Sequence, residues 1–278
     1  MKIFTLGLIL FCYTGYGQTA IQYFNRGNTK YNQGDYTGAI ADYTKAIEID
    51  PKSPSAYNNR GNVKCKLQDY TGAIADYTKA IEIDPKFVEA YFNRGSTKDR
   101  LRDIAGAIED YSKAIEISPD YDEAYWARGR VYNKSFKDFD GKIHGYTDSI
   151  ENNMNQMKNV EDIENLQYYF NNGNERIPVK KDYIDAMSDF SKVIEINPMN
   201  EGAYEDRGEI KYDLKDYRGA IIDFKKAVEL NPKDKYAYYY LGFSELLIGQ
   251  KESGCLDLSK AGELGYEDAY EVIKKCCN

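Results

Sequence analysis

The sequence contains one histidine, His144, and none of the short motifs that mark common catalytic and phosphate-binding sites. There is no HExxH, no GxSxG, no Gly-rich phosphate loop and no CxxC pair. The carboxylates are numerous, but they are spread over helix-surface positions, which is typical of a solvated face. These absences argue against an enzyme, and we expect neither a cofactor nor a metal ion.

Positive charge is also scarce. Lys and Arg total 37 against 45 Asp and Glu, so the formal net charge is −8 and the sequence pI is about 5.0. Nucleic-acid binding depends on clusters of Lys and Arg that neutralise phosphates. A nucleic acid is therefore not expected as the main partner.

The sequence also lacks a long apolar run. The most apolar segment, Ile3–Phe11, is too short to span a bilayer, which takes about 20 residues. It follows a basic start and precedes small residues, a pattern typical of a signal peptide cleaved after Gly17. We therefore predict that residues 1–17 are removed and that the protein is exported, to the periplasm or outside the cell. The alternative is an uncleaved first helix. Cys12 follows Phe11, where a lipoprotein would have a small residue, so lipidation is not expected.

What the sequence does contain is an internal repeat. Asp35–Lys52 and Asp69–Lys86 are identical over 18 residues at an offset of 34, and Asp103–Asp120 is a drifted third copy. A fixed period of this length indicates stacked supersecondary units. Within each period, apolar and small residues recur at three- and four-residue spacing in two segments, which are separated by a turn. Because Asp-Pro ends the second segment, each unit is predicted to be a helical hairpin.

The period divides residues 18–277 into a series of predicted units. They are 20–53, 54–87, 88–121, 122–154, 166–200, 201–234 and 235–266. The middle is irregular, because 79 residues separate Pro119 from Pro198 where two units need 68. We interpret it as two degenerate repeats with a short insertion near 152–165; the alternative is a non-repeat loop of about 45 residues. A last amphipathic helix, 267–277, is expected to cover the end of the array.

Small and aromatic residues recur at fixed positions in these units. Position 8 holds Gly27, Gly61 and Gly95, position 20 holds Ala39, Ala73 and Ala107, and position 27 holds Ala46, Ala80 and Ala114. Tyr recurs at positions 4 and 24, and Pro at position 32. This pattern resembles the tetratricopeptide repeat (TPR) family. The resemblance implies an all-α fold, a right-handed α-solenoid of stacked helical hairpins with a C-terminal capping helix, acting as a non-catalytic protein–protein interaction scaffold.

One departure from the family pattern recurs at position 7, where an aliphatic residue is usual. This position holds Arg26, Arg60, Arg94, Arg128 and Arg207, and position 23 holds Asp42, Asp76, Asp110 and Asp223. A lone buried guanidinium would be costly, so we predict an Arg–Asp pair between the two helices of a hairpin. The alternative is an Arg that lies along the groove and keeps its charge in water. The last unit has Leu241 at position 7.

The resemblance also implies a binding groove, because in this family the first helices of the hairpins line the concave face. The candidate groove residues are Phe24, Asn25, Asn28, Asn58, Asn59, Asn62, Phe92, Asn93, Arg100, Trp126, Arg130, Asn171 and Asn174. The asparagines resemble the ladder in the repeat domain of the glycosyltransferase that adds N-acetylglucosamine to Ser and Thr. That likeness implies a grip on the backbone of an extended peptide or protein segment. The alternative is a set of polar, solvated positions.

The C-terminal stretch Gly254–Tyr266, followed by a helix that ends in cysteine, resembles the last unit of exported TPR proteins from Bacteroidetes. That resemblance implies a disulfide between Cys255 and either Cys276 or Cys277, which an oxidising compartment would permit. The alternative is buried free thiols.

The predicted groove changes character along the chain. It is basic at Lys66, Arg100, Arg130 and Lys134, acidic at Glu205, Asp206, Glu209 and Asp213, and aromatic at Tyr236, Tyr239, Tyr240 and Phe243. Exposed aromatics in a strip usually indicate a partner, although some of these could pack under the capping helix. The strip, together with a resemblance to repeat-containing glycan proteins of the same bacteria, suggests a second hypothesis. In it the protein is a carbohydrate-binding or uptake accessory protein of the cell envelope.

Overall fold

The structure is a computed structural model that describes residues 19–134 and 177–277, with side chains from residue 182 in the second range. These residues form helices and turns and contain no strand. No helix in the described ranges is long and apolar enough to cross a membrane. The predicted signal peptide and the predicted insertion near 152–165 lie outside the described residues.

Helices α1 to α13 follow one another along the described chain. They are α1 (19–32), α2 (Tyr36–Ile49), α3 (Pro54–Lys66), α4 (Tyr70–Ile83), α5 (Val88–Arg100), α6 (Ile104–Ile117), α7 (122–134), α8 (Ile177–Ile196), α9 (Glu201–Asp213), α10 (Tyr217–Leu230), α11 (Lys235–Leu247), α12 (Lys251–Glu263) and α13 (Asp268–Cys276). The chain divides into two compact units, one ending at Ala124 and one beginning at Tyr125. In each unit, neighbouring helices pack as hairpins, which confirms the predicted all-α, TPR-like fold class.

A three-residue turn joins the two helices of a regular hairpin. Asp69 ends one such turn, and its side chain caps α4 by accepting a hydrogen bond from Gly72 N at 2.9 Å. A Cβ at residue 72 would lie 2.2 Å from the Asp69 carboxylate, so only glycine fits this cap. Gln68 precedes it with φ 64°, where the first hairpin has Gly34 at φ 79°. Equivalent caps begin α2, α6 and α10.

Glycine and aromatic residues meet inside the hairpins that precede the last one. A Cβ added at Gly61 would lie 2.7 Å from the Tyr77 ring, and one at Gly208 would lie 3.1 Å from the Phe224 ring. The two helices therefore approach as closely as they do because one of them carries no side chain at this position. This is the packing that the recurrent small and aromatic positions predicted.

The predicted Arg–Asp pairs are present. Arg60 Nε and Nη2 donate to the two oxygens of Asp76 at 2.9 and 2.6 Å, and Lys64 Nζ lies 2.7 Å from Asp76 Oδ2. The same paired contact joins Arg26 to Asp42, Arg94 to Asp110 and Arg207 to Asp223. The aspartates are buried, with side-chain exposures of 1 to 6% in these four pairs. Two cations compensate each buried carboxylate, which makes its burial tolerable.

Helix α7, from the predicted unit 122–154, pairs with α8, from the predicted unit 166–200. Arg128 Nε and Nη2 donate to Asp189 Oδ2 and Oδ1 at 2.9 and 2.8 Å, so α7 pairs with α8. The partners are 61 residues apart in sequence, against 16 in the regular hairpins. A Cβ at Gly129 would lie 2.9 Å from the Phe190 ring, the same packing as in the other hairpins. The structure thus places α7 and α8 in one hairpin, and the rest of the two predicted units lies outside the described residues.

The last hairpin, α11 with α12, is followed by α13, which packs against α12 around Leu258, Ala261 and Ala269. α13 occupies the segment predicted as the capping helix. Cys255 and Cys277 form a disulfide with a Cα–Cα distance of 5.9 Å, and Cys276 is an exposed free thiol. Of the two pairings that the sequence left open, the structure contains the one with Cys277.

Candidate peptide-binding surface

In the first unit, the predicted ladder asparagines form a hydrogen-bonded chain across α1, α3 and α5. Asn59 Nδ2 donates to Asn28 Oδ1 at 3.0 Å, and Asn58 Nδ2 donates to Asn59 Oδ1 at 3.3 Å. Asn93 Nδ2 donates to Asn58 Oδ1 at 3.0 Å. The hydroxyl of Tyr43, on α2, donates to Asn28 Oδ1 at 2.6 Å and so anchors the chain in the core.

This network uses amide oxygens and leaves amide N–H groups available. Asn28 Oδ1 accepts two hydrogen bonds, and Asn62 Oδ1 accepts one from the Tyr77 hydroxyl at 2.8 Å. Within the described residues, Asn28 Nδ2 and Asn62 Nδ2 have no acceptor. Each Nδ2 carries two donors, and both side chains are half-buried. Neighbouring hairpins therefore present fixed N–H donors on the same side of their first helices.

Other predicted groove residues of the first unit lie in different surroundings. Asn58 is only 6% exposed, so it positions its neighbours rather than offering a contact surface. Phe24 packs 5.8 Å from the Tyr43 ring. Phe92 packs 5.6 Å from Tyr111 and 5.3 Å from Tyr121. These side chains belong partly to the core. Asn25 and Arg100 are exposed.

In the second unit, Trp126 and Arg130 lie together on α7. Trp126 Nε1 donates to Asp206 Oδ2 of α9 at 2.9 Å, and the Arg130 guanidinium lies 5.0 Å from the centre of the Trp126 ring. The predicted groove residues Asn171 and Asn174 lie outside the described residues. Trp126 occupies position 5 of its hairpin, the position that Phe24 and Phe92 occupy in the first unit.

Carboxylates dominate the adjoining helix α9. Burial, together with the negative charges of Asp234, Asp206 and Glu201, raises the pKa of Glu205 to about 7. Oxygen atoms of Glu201, Glu205 and Asp234 lie within 4.8 Å of one another. Asp234 is the N-cap of α11 and accepts hydrogen bonds from two of its backbone N–H groups, and Asn231 donates to Glu201 at 3.2 Å. Helix capping thus accounts for the position of one of the three carboxylates.

Aromatic rings form a connected set beside these carboxylates. Tyr212 of α9 lies 5.3 Å from Tyr240 and 6.2 Å from Phe243, both on α11. Tyr239 stacks on Phe243 at 5.9 Å and contacts Tyr266 at 4.5 Å. The strip predicted from α11 is therefore partly packed against its own neighbours. The strip stays partly exposed, and its first residue, Tyr236, is 48% exposed.

Family models match the chain at both of its regular parts. A model described as "TPR repeat" matches residues 27–68, 61–98 and 103–135, and one described as "Tetratricopeptide repeat" matches 202–234. The chain contains tetratricopeptide repeats. The matched ranges cover α2 to α6 and α9 to α10, whose hairpins carry the Arg–Asp pairs. No curated protein matches the sequence.

Solved structures show the same tetratricopeptide fold at low sequence identity. PilF of Pseudomonas aeruginosa superposes with a TM-score of 0.66 at 14% identity, over 94% of this chain and 99% of its own. YrrB, described as "a TPR protein with an unusual peptide-binding site", gives 0.59 at 18% identity, over 84% and 97%. The MamA protein gives 0.56 at 22% identity, over 78% and 94%. At these identities the likeness shows the fold alone.

Some residues of the tetratricopeptide hairpins were missed by sequence reasoning. The second cation on each buried Asp comes from Lys30, Lys64, Lys98 and Lys211. A detectable signal existed, because each of these lysines follows the repeated Arg by four residues and so lies on the same helix face. The contact between Trp126 and Asp206 had no such signal, since it joins residues 80 apart in sequence.

Proposed function

We propose that this protein is a non-catalytic scaffold of the cell envelope that holds an extended peptide or protein segment along the first helices of its hairpins. The observation that carries the proposal is the asparagine network of the first unit, in which the oxygens of Asn28 and Asn62 are fixed by internal hydrogen bonds. The Nδ2 groups of these two residues remain as N–H donors, the groups that bind the carbonyl oxygens of an extended backbone.

Preorganisation supports this function. A freely rotating Asn would lose side-chain entropy on binding, whereas Asn28 and Asn62 are already held by Tyr43 and Tyr77. Recognition through backbone carbonyls needs no particular partner sequence. A scaffold of this kind would therefore accept a class of segments rather than one motif.

The proposed envelope location is supported by the signal-peptide pattern of residues 1–17 and by the Cys255–Cys277 disulfide. Disulfides persist in exported proteins and are rare in reducing compartments. Fractionation of cells expressing the full chain tests this part, with the protein expected outside the cytoplasm. Recovery in the cytoplasm with residue 1 intact would contradict it.

Asn28→Asp tests the ladder. The aspartate keeps the acceptor for Tyr43 OH and Asn59 Nδ2, but it removes both amide donors of residue 28. On an array of extended, uncharged peptides, the wild type is expected to bind, and Asn28→Asp is expected to weaken binding about tenfold. Gln22→Glu is the matched control, because it makes the same charge change at an exposed position of α1 that is not among the predicted groove residues.

Two results would contradict peptide binding by the asparagine ladder. The first is the absence of any peptide binding by the wild type. The second is equal binding by Asn28→Asp and Gln22→Glu, which would mean that the amide donors contribute nothing.

A further inference from the structure

We propose that the second unit binds a segment carrying Lys or Arg side chains on an acidic–aromatic face. This face is formed by Glu205, Asp206, Glu209 and Asp213 of α9 together with Tyr236, Tyr239, Tyr240 and Phe243 of α11. The inference rests on the proposed function, since it uses the same side of the hairpins, and it adds the chemistry of the partner.

Helices α3 and α9 differ in charge at three equivalent positions. In α3, positions 5, 6 and 9 of the hairpin hold Asn58, Asn59 and Asn62, whereas in α9 they hold Glu205, Asp206 and Glu209. The same three positions thus carry neutral amides in α3 and carboxylates in α9. Amides suit a peptide backbone, and carboxylates suit cationic side chains.

The basic residues of α9 are directed away from this face. Arg207 Nη2 and Lys211 Nζ both bind the buried Asp223 of α10, each at 2.7 Å. Glu205 faces further carboxylates, with Asp234, Asp206 and Glu201 each opposing its ionisation. The carboxyl of Glu205, with its pKa raised to about 7, gains stability as a carboxylate when a cation approaches. Charge complementarity therefore selects a positively charged occupant.

The aromatic rings suit the same occupant. Lys and Arg pack their aliphatic stems on apolar surface and place the charge over ring faces. The chain itself uses this contact repeatedly: Arg26 lies 4.8 Å from the Tyr23 ring and Arg207 lies 5.9 Å from the Tyr204 ring. On the acidic–aromatic face, the rings of Tyr240 and Phe243 are joined to α9 through Tyr212. The aliphatic part of a bound Lys or Arg side chain can thus pack on these rings, with its charge near the carboxylates of α9.

A sugar fits these observations less well. The neighbouring carboxylates add nothing specific for a neutral glycan. Glycan binding is therefore kept as an outcome of the test.

The chain carries its own reporter of this face. Trp126 is the single tryptophan, and its Nε1 donates to Asp206 at 2.9 Å. The experiment titrates the full chain with an extended peptide of alternating Lys and Ala and, separately, with one of alternating Gln and Ala, while Trp126 fluorescence is recorded. The Lys peptide is expected to bind at least about fivefold more tightly, and to weaken as NaCl rises from ~50 to ~300 mM.

A paired variant locates the binding. Glu205→Gln with Glu209→Gln is expected to remove the preference for the Lys peptide. The control, Glu195→Gln with Glu229→Gln, removes two carboxylates from exposed pairs with Lys192 and Lys226 and should leave it unchanged. Equal affinity for the Lys and Gln peptides, or an unchanged preference in the Glu205/Glu209 variant, would overturn the inference. So would a neutral oligosaccharide that binds and displaces the Lys peptide.

The outcome is separable from that of the ladder test. The ladder lies in α1, α3 and α5, and the acidic–aromatic face lies in α9 and α11. If the wild type binds uncharged peptides but shows no preference for the Lys peptide, this inference alone is rejected. If the wild type prefers the Lys peptide but binds no uncharged peptide, the asparagine ladder alone is rejected.

Discussion

Lys225 Nζ lies 2.8 Å from Oε1 of Glu245, a carboxylate with no exposed surface. The contact is an ion pair without hydrogen-bond geometry, since neither Glu245 oxygen has a hydrogen-bond partner among the described residues. This ion pair stands where the other hairpins have a buried Asp paired with an Arg. The last hairpin has Leu241 where they have Arg, and Glu245 where the regular ones have Lys. The compensating cation comes instead from α10 of the preceding hairpin.

Removing that cation is expected to destabilise the C-terminal hairpins. Lys225→Thr restores the residue type of the equivalent positions Thr44 and Thr78, but it leaves the buried Glu245 carboxylate uncompensated. We expect a loss of about 2 kcal/mol, below the range for fully buried pairs because Lys225 is itself half-exposed. Urea unfolding monitored by circular dichroism measures it.

The control for this change is Lys226→Thr. Lys226 pairs with Glu229 on the exposed side of the same helix, and such pairs contribute less than about 1 kcal/mol. Equal urea midpoints for the two variants would mean that Glu245 does not depend on Lys225.

The same junction predicts a pH dependence. Burial raises the pKa of Asp257 to about 7, and the adjoining Glu245 adds to the rise while Lys225 opposes it. In the unfolded chain this pKa is about 3.9. The stability contributed by the protonated form is therefore complete below pH ~4 and is lost as the pH rises through about 7. Asp257→Asn is expected to raise the melting temperature relative to wild type at pH 8 and to bring little gain at pH 5.

Glu205 also has a pKa raised to about 7 and contributes a similar slope, so Glu205→Gln serves as the comparison. The two substitutions should act additively, because Asp257 and Glu205 share none of the charges that shift them. An unchanged pH profile in Asp257→Asn would show that Asp257 ionises normally in the folded protein.

The single hairpin formed by α7 and α8 predicts tolerance of a large deletion. Replacing residues 135–182 by the turn Leu-Gln-Asp, as at 67–69, gives α7 and the rest of α8 the regular spacing. The Arg128–Asp189 pair should persist, and the shorter connection should stabilise the hairpin by about 2 kcal/mol, since each halving of a flexible loop lowers the cost of closing it by about 0.6 kcal/mol. Circular dichroism and urea unfolding measure both.

A scrambled turn of the same length controls for the cap that Asp provides. Loss of cooperative unfolding in the Leu-Gln-Asp version would indicate that the deleted segment contains a repeat on which the neighbouring hairpins depend.

The disulfide predicts unequal effects of the neighbouring cysteines. Cys255→Ser is expected to cost about 3 kcal/mol under oxidising conditions, because the bond closes a loop of 22 residues onto α13. Cys276→Ser should change nothing, because that thiol is free and exposed. Mass spectrometry of a non-reduced digest identifies the pairing. A 255–276 peptide pair would contradict the structure.

Much of the fold could be predicted from the sequence, because the period, the Gly at position 8 and the aromatic residue at position 24 report local helix packing. The middle could not be read in the same way. Arg128 has His144 sixteen residues later, and Asp189 has Gly173 sixteen residues earlier. Arg128 and Asp189 each lack a partner at the regular spacing, and pairing them with each other would have predicted the hairpin. Sequence echoes in between suggested repeats instead.

The site was less predictable than the fold. Helical spacing places Asn58 with the other asparagines, but its burial depends on how α3 packs between its neighbours. Lys225 escaped notice for a related reason. Comparing positions within a unit cannot show a cation that reaches into the next one.

The Arg–Asp pairs also link successive hairpins. Arg60 Nη1 donates to Thr44 Oγ1 of the preceding hairpin at 3.1 Å, and Arg94 repeats the contact with Thr78 at 3.0 Å. Each such link joins an Arg of one unit to a Thr of the unit before it. Duplicating an internal unit therefore creates no unmatched charge. The Lys225–Glu245–Asp257 set has no such copy. Extra copies of an internal hairpin can therefore be inserted with all of their charges paired. The final hairpin, whose Glu245 depends on Lys225 of the hairpin before it, can occupy only the end of the array.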